Sequence, residues 1–243
     1  MNGDAVREIA ELKAEAQTKT IHVDGAVYTT RELHQLPRRK EEAVEPIRVK
    51  SVKALCDWVT NNTLPIGSFV HIVSPTLVEI RGPLIGTEEG TNQRHTYLQA
   101  EFVGEPWAWG KYLSTEEWVV ALQARFDHTD DRDRAAAILG NLVHEEVLKL
   151  EDDGTTQRAT ARTGIAKVSE VSVRNPFWLA PMRCFYETSP VASPFVLRMK
   201  QEGGWFRAAF FEADGGKWQV QSIEGIRFWI ESQIGDDMIP IIG

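Results

Sequence analysis

Cysteine is scarce in this sequence, which has only Cys56 and Cys184 among its 243 residues. Two cysteines so far apart provide neither a disulfide framework nor the paired spacing of a zinc site. We therefore predict that both are buried small hydrophobic side chains and that the protein works in a reducing cytoplasm.

Long apolar runs are also missing. No stretch approaches the roughly 18 apolar residues of a transmembrane helix, and the first residues, MNGDAVREIAELKAEA, lack the apolar region of a signal peptide. The formal net charge of −8 is the opposite of the basic footprint that nucleic-acid-binding proteins usually carry, and anionic lipid would repel it. The composition predicts an intracellular protein without membrane contact and disfavours nucleic acid as a partner.

The common catalytic signatures do not occur either. We find no GxGxxG, GxxxxGK[ST], GxSxG or CxxC pattern. The stretch from His144 to Glu146 begins like a zinc-protease helix, but Leu148 occupies the position of the required second histidine. The neighbours Glu116 and Glu117 would point to different faces of a helix and do not make an acid–base pair. We predict a protein that is not an enzyme and that has no cofactor and no metal.

The densest polar cluster is DHTDDRD, at residues 127–133. One interpretation is a divalent-cation site built from carboxylates. The other is a helix N-terminus, where aspartate caps free amides and complements the helix dipole. Because Arg132 and Arg134 alternate with these carboxylates, we favour the helix start.

The order of the predicted elements indicates an α+β fold, because helices and strands are mixed without βαβα alternation. Residues 1–50 form a predicted N-terminal helix (4–17), a hairpin around Asp24-Gly25 and a polar arm (31–50). Residues 51–243 then form a single predicted α+β domain.

Within that domain we predict an extended β-hairpin, a central long helix and a mixed β region that ends in a helix. The expected spans are a helix at 51–62, the hairpin at 68–103, a helix from a capping box at Ser114 to about 126, the long helix at 131–151, strands at 156–163, 165–173, 182–188, 194–200, 205–212 and 217–221, and a final helix at about 223–234.

Aromatic residues are abundant, with eight Trp and ten Phe. The group from Trp107 to Trp118 resembles a base-stacking platform, but Lys111 is the only nearby basic residue, so we favour packing in a core or an interface. The basic run Arg38-Arg39-Lys40 in the arm could contact phosphate, but Glu41 and Glu42 follow at once, which favours a solvated linker or an arm that pairs with a neighbouring subunit. The candidate subunit-interface residues are Arg38, Arg39, Trp107, Trp109, Tyr112, Trp118, Phe228 and Trp229.

Three strings carry a resemblance to a known family: SFVHIVSPTLVEIRGPL at 68–84, DDGTTQRATARTGIA at 152–166 and FEADGGKW at 211–218. They are similar to the YfdQ-like family of phage and prophage proteins, and the resemblance covers roughly residues 50–235. It implies a phage or prophage origin and expression in the cytoplasm of the bacterial host. It brings no catalytic or binding residue with it.

The predicted element order also resembles the major capsid protein fold of tailed phages, which encapsulin shells share. In that fold 68–103 would be the extended loop and 131–151 the spine helix. The resemblance rests on element order alone, and a fold by itself does not fix a function.

Three functional hypotheses follow. The first is a phage protein that assembles with itself into a homo-oligomer, in the fullest form a closed shell with a phage or host protein as cargo. The second is a phage binding module that sequesters a small molecule or nucleotide, for instance as an anti-defence factor, in a pocket of arginines and aromatics such as Arg158, Arg162 or Arg183. The third is an accessory protein of phage recombination or replication, which the net charge disfavours.

Overall fold

The computed structural model describes residues 3–16, 20–29, 35–36, 45–86, 92–104, 107, 109–142, 146–152, 156–163, 167–235 and 238–243. The chain divides into two units, residues 1–43 and 44–243. The division precedes the boundary predicted at residue 50, because Ile47–Val49 forms a strand in a sheet of the second unit.

The first unit contains a helix and a small antiparallel sheet. Its elements are α1 (Gly3–Ala16), β1 (Thr20–Val23), β2 (Ala26–Thr29) and β3 (Gln35–Leu36), with strand order β1-β2-β3. Asp24 and Gly25 both have positive φ, 48° and 75°, as the tight turns that connect two-residue hairpins require. The predicted helix and hairpin are therefore confirmed, whereas Arg38 and Arg39 lie outside the described residues.

The second unit mixes helices and sheets, and the chain as a whole is an α+β protein. In chain order its elements are β4 (Ile47–Val49), α2 (Val52–Asn61), β5 (Phe69–Ser74), β6 (Leu77–Gly86), β7 (Asn92–Glu101), β8 (Leu113–Ser114), α3 (Thr115–Arg125), α4 (Asp130–Gly140), β9 (Glu146–Asp152), β10 (Thr156–Thr163), β11 (Lys167–Arg174), β12 (Phe177–Leu179), β13 (Ser193–Glu202), β14 (Trp205–Glu212), α5 (Lys217–Ile234) and β15 (Ile241–Ile242).

An aliphatic core lies between the sheet β15-β5-β6-β7-β4 and the helices α2 and α5. Ser51 precedes the helix α2 and caps it. The Ser51 hydroxyl accepts a hydrogen bond from the amide of Ala54 at 3.2 Å, an amide that has no acceptor within the helix. The buried members are Val52, Leu55, Cys56, Val59, Val70, Ile72, Val78, Ile80, Leu98, Ala100, Phe185, Ile226, Ile230, Ile234 and Ile239.

The predicted hairpin at 68–103 is an antiparallel arrangement of β5, β6 and β7. Its inner part belongs to the aliphatic core, where Ile80 and Leu98 are fully buried opposite each other. Its outer part is exposed at Leu84 and Ile85, and residues 87–91 lie outside the described ranges. The inner half is therefore folded into the core and is not a free loop.

An aromatic core lies between the sheet β12-β13-β14-β8 and the helices α3 and α4. Ser114 and Glu117 form the predicted capping box at the start of α3, with each side chain bonded to the other residue's amide. The buried members are Trp118, Ala121, Leu122, Phe126, Ala135, Leu139, Leu142, Val173, Phe177, Leu179, Phe195, Leu197, Met199, Phe206, Ala208 and Phe210.

The predicted long helix at 131–151 is wrong over residues 146–151. The helix α4 ends at Gly140, and Glu146–Asp152 is the strand β9, which pairs with β10. Apolar and charged residues alternate around Lys149 with the period of a strand, and the hydrogen bonds to β10 stabilise that alternative. The spine helix expected from the capsid resemblance therefore does not form over this span.

Two predicted strands are also wrong. Residues 182–188 form a connection after β12, in which the neighbours Cys184 and Phe185 are both buried instead of alternating in and out as strand residues do. Residues 217–221 are the first turns of α5, which begins earlier than predicted because the Asp214 carboxylate accepts bonds from the amides of Gly216 and Trp218, at 3.0 and 2.9 Å.

A candidate ligand-binding cavity

A cavity of about 850 Å³ opens in the second unit, beside both cores. Its walls come from the end of β7, the connection that follows it, the end of α3, the segment after β12 and the first turn of α5. The lining residues are Thr76, Glu101, Phe102, Val103, Gly104, Trp107, Trp109, Ala124, Arg125, Phe126, Pro181, Met182, Arg183, Tyr186 and Trp218. This volume is in the usual range for small-molecule sites.

Backbone hydrogen bonds hold these distant segments together. The amide of Met182 donates to the carbonyl of Arg125, and the amide of Asp127 donates to that of Ala180, both at 2.9 Å. On the opposite wall the amide of Phe102 donates to the carbonyl of Thr76, also at 2.9 Å. The walls are thus anchored to regular elements at several points, which favours a preformed site.

Two half-buried tryptophans form one wall. The ring of Trp109 lies 4.7 Å from that of Phe195, and the ring of Trp107 lies 5.2 Å from that of Trp118. Both partners belong to the aromatic core, so the two rings are supported from behind while part of each stays accessible. Rings held in this way are suited to stacking on a planar ligand.

Phe102 and Tyr186 form the facing wall, with ring centroids 5.2 Å apart. Tyr186 is 61% exposed and lies at the rim. A β-carbon added at Gly104 would lie 2.1 Å from the ring of Phe102. The glycine therefore leaves room for this ring in its present position.

Arg183 is the most buried charge of the cavity lining, with 10% of its side chain exposed. It forms an ion pair with Glu212, donates to the hydroxyl of Ser193 at 2.6 Å and lies 3.8 Å above the ring of Trp218. Burial lowers the pKa of Arg183, and the carboxylates of Glu212 and Asp214 oppose that shift. The guanidinium group is thus fixed in place by contacts on several sides.

Arg125 brings a second positive charge to the cavity. Its guanidinium carbon lies 4.9 Å above the ring of Trp107, a distance at which a cation interacts favourably with an aromatic face. Among the lining residues that the structure describes, Glu101 is the one carboxylate, and it is exposed. The described lining therefore has two guanidinium groups, of which that of Arg183 forms an ion pair with Glu212.

Three N–H donors of the lining residues have no hydrogen-bond acceptor and are shielded from solvent: the indole N–H groups of Trp107 and Trp218 and Nε of Arg183. A buried donor without a partner costs about 1–3 kcal/mol. Such groups are rare in folded proteins, and all three belong to residues that line this cavity.

The predicted interface residues that the structure describes differ in how far they are buried. Trp118 is fully buried in the aromatic core, where its indole N–H donates to the carbonyl of Ala208 at 2.7 Å, which leaves no surface for a partner subunit. Trp107 and Trp109 line the cavity. Tyr112 is half-buried, with its ring 6.3 Å from that of Phe211 and the ammonium of Lys200 4.6 Å from it.

Phe228 and Trp229 lie on α5 beside a smaller cavity of about 460 Å³. Phe228 is 75% exposed, and Trp229 packs against the aliphatic core. Of the predicted interface residues that the structure describes, Phe228 therefore has the side chain most available to a partner.

The acidic cluster at 127–133 is a helix start, as predicted. The hydroxyl of Thr129 accepts a bond from the amide of Arg132 at 3.0 Å, and three aspartates lie in the first turn of α4. Among the described residues, no group of three or more His, Cys, Asp or Glu side chains is placed to hold a metal ion.

Both cysteines are buried, as predicted. Burial, together with the nearby carboxylates of Asp57 and Glu187, raises the pKa of Cys56 to about 12. This thiol therefore stays protonated at neutral pH and is a poor nucleophile. No helix in the described part of the chain is long and apolar enough to cross a membrane.

Sequence reasoning named only part of the cavity. It named Trp107 and Trp109 as packing residues and Arg183 as one possible ligand contact, whereas Arg158 is exposed on β10. It missed Arg125 and Trp218. A signal was present for Trp218, since it lies two residues after Asp214-Gly215-Gly216, a sequence typical of a sharp turn before a helix.

Comparison with protein-family models, with curated proteins and with solved structures gave no match. The likeness to the YfdQ-like family and to the capsid fold stays a prediction. The geometry of the cavity is accordingly the basis for a functional proposal.

Proposed function

We propose that this protein is a non-enzymatic binding module that holds a small planar molecule in the cavity between Trp107, Trp109 and Tyr186. The observation that carries the proposal is the pairing of supported aromatic rings with donors that lack acceptors in one cavity of suitable size. Binding sites commonly combine apolar walls with a few convergent polar groups.

The likeness to the YfdQ-like family supports a phage or prophage origin and action in the cytoplasm of the bacterial host. In that setting a module of this kind would sequester a small molecule, as one of the sequence-based hypotheses holds. Three lining tryptophans would report the binding event, because their fluorescence changes when a ring stacks on them.

The test is a titration of the full chain with adenosine, AMP, indole-3-acetate and indole-3-acetamide, followed by tryptophan fluorescence and calorimetry. We expect saturable binding of one molecule per chain for at least one of these probes. The occluding variant Ala124→Phe adds bulk to the lining at the end of α3 and should abolish that binding.

The matched control is Gln123→Phe, which adds the same ring at the neighbouring exposed position outside the lining. It should bind like the unaltered protein. If none of the four probes binds saturably, or if Ala124→Phe binds as well as Gln123→Phe, the proposal is overturned.

A second candidate function is self-association into a homo-oligomer, the first of the sequence-based hypotheses. It is supported by α1, whose apolar residues Val6, Ile9 and Leu12 recur every third position and are all more than half exposed. A helix of this length is marginal in water unless an apolar face is covered, and a second copy of α1 would cover it symmetrically.

Light scattering coupled to size-exclusion chromatography tests this second function. We expect a mass above that of one chain, reduced by Ile9→Gln on the apolar face and unchanged by Glu8→Gln on the polar face. A monomeric mass for the unaltered protein would contradict self-association, and a uniform particle of very large mass would support the closed-shell form.

A further inference from the structure

The cavity lining contains hydrogen-bond donors that lack a partner. The solvent-shielded side-chain atoms of the described lining that lack a partner are all N–H donors, belonging to Trp107, Trp218 and Arg183. Donors of this kind are satisfied by oxygen acceptors on a ligand, whereas a ligand rich in donors would leave them unpaired.

Among the described lining residues, arginines outnumber carboxylates. Arg125 and Arg183 contribute two guanidinium groups, while the carboxylate of Glu101 is exposed at the edge. The carboxylate of Glu212 forms an ion pair with Nη1 of Arg183. The Nε atom of Arg183 has no hydrogen-bond acceptor. A cationic group beside Arg125 would meet a like charge, whereas an anionic group there would meet an opposite charge.

The aromatic surfaces and these donors belong to the same residues. Arg183 lies on the ring of Trp218, and Arg125 lies on the ring of Trp107. Both arginines therefore lie beside aromatic rings of the same cavity, which Trp109 and Phe102 also line.

We infer that the ligand is a planar aromatic ring joined to an anionic oxygen group, either a phosphate or a carboxylate, and that Arg125 and Arg183 contact the anionic end. This inference rests on the proposed function. It names the class of molecule that the cavity would select, and it assigns the two arginines as the residues that discriminate it from a neutral analogue.

Two matched ligand pairs test the inference on the full-length protein. AMP and adenosine differ by a phosphate, and indole-3-acetate and indole-3-acetamide differ by the charge of a carboxylate. We expect the anionic member of at least one pair to bind about tenfold tighter than its neutral partner, which corresponds to one charge-assisted contact. The preferred pair distinguishes phosphate from carboxylate.

Arg125→Gln is the first variant, because this half-buried side chain can be changed with less risk to folding than Arg183. It should lower the affinity for the preferred anion about tenfold while the affinity for the neutral analogue changes little. Arg207→Gln, which removes the same charge on β14 outside the cavity lining, is the control and should leave both affinities unchanged.

The outcomes distinguish failure of the ligand class from failure of the binding function. Equal affinity for the anionic and neutral members of both pairs, or an equal loss of both in Arg125→Gln, would overturn the ligand class while leaving a binding module in place. Absence of binding by all four molecules would overturn the binding module itself. Competition of inorganic phosphate with bound AMP would support the anionic subsite, and phosphate binding without competition would contradict it.

Discussion

The two cores of the second unit use different side chains. The aliphatic core contains Phe185 as its one fully buried aromatic ring among the described residues, and its other members are mostly Val, Leu and Ile. The aromatic core contains six buried aromatic rings, from Trp118, Phe126, Phe177, Phe195, Phe206 and Phe210. Branched aliphatic chains interdigitate between a sheet and two helices, whereas large flat rings meet in edge-to-face pairs.

This difference accounts for the position of the cavity. The ring of Trp118 packs against that of Phe210 at 4.7 Å, and further rings continue the cluster outward to Trp107 and Trp109. Where the cluster of rigid rings ends, its last members are only half covered, and the gap beside them is the cavity. The aromatic core thus supplies one wall of the cavity.

The largest expected effect comes from breaking the aromatic core at its centre. Trp118→Ala should lower the free energy of unfolding by about 4 kcal/mol, because it removes a fully buried ring and leaves a cavity. Urea denaturation followed by circular dichroism measures this. Trp118→Phe should cost about 2 kcal/mol, since it leaves the carbonyl of Ala208 without its donor.

If Trp118→Phe were as stable as the unaltered protein, the indole hydrogen bond would contribute nothing to stability. The aromatic core would then depend on ring packing alone.

The aliphatic core gives the next largest effect. Leu55→Ala should cost about 3 kcal/mol, because Leu55 is fully buried between α2 and the sheet. The same denaturation experiment applies. Ile66→Ala is the control: Ile66 is 98% exposed, and its loss should change stability by less than about 0.5 kcal/mol. Equal effects of the two variants would contradict the assignment of Leu55 to the core.

A smaller effect is expected at the border of the aromatic core, where Ser114 caps α3. Ser114→Ala should cost about 1 kcal/mol, because it removes the hydroxyl that bonds to the amide of Glu117 at 3.2 Å and to its carboxylate at 2.7 Å. Thermal unfolding at several pH values measures this cost and its pH dependence.

The pH dependence follows from Glu117. Hydrogen bonds from the Ser114 side chain and backbone lower the pKa of Glu117 below its ordinary 4.5. A carboxylate with a lowered folded-state pKa stabilises the protein above its ordinary pKa and loses that contribution as the pH falls through the lowered value. The difference between Ser114→Ala and the unaltered protein should therefore be full at neutral pH and shrink below 4.5. A difference that grew in acid would contradict this account.

The smallest effect is expected at the cavity edge of the aromatic core. Trp107→Phe should change the free energy of unfolding by less than about 1 kcal/mol, because the lost ring area is offset by the removal of a buried donor that has no acceptor. Denaturation compares it directly with Trp118→Phe. A cost equal to that of Trp118→Phe would show that the indole N–H of Trp107 has a partner.

Local sequence signals predicted several elements whose stabilising contacts are local, although the start of α5 was missed despite its local cap at Asp214. The caps at Ser51 and Ser114, the turn at Asp24-Gly25 and the helix start at 127–133 depend on residues within a few positions of one another. The predicted helix at 131–151 failed where a distant strand competed, since β10 pairs with residues 146–152.

The cavity was less predictable than the elements around it. Trp107 and Trp109 were noticed for their residue type, and the same reasoning placed Trp118 at an interface although it is the centre of the core. Residue type alone does not separate a buried ring from a half-buried one, because the difference depends on which distant segment covers it.

The sequence by itself determined the α+β class, the capped helices, the hairpin turn and the buried cysteines, because each depends on composition or on short-range hydrogen bonds. Only the tertiary structure brought Arg125, Arg183 and Trp218 into one cavity, because these residues lie on a helix end, a connection and another helix far apart in the chain. Their meeting depends on two cores packing side by side, and no local pattern in the sequence encodes that arrangement.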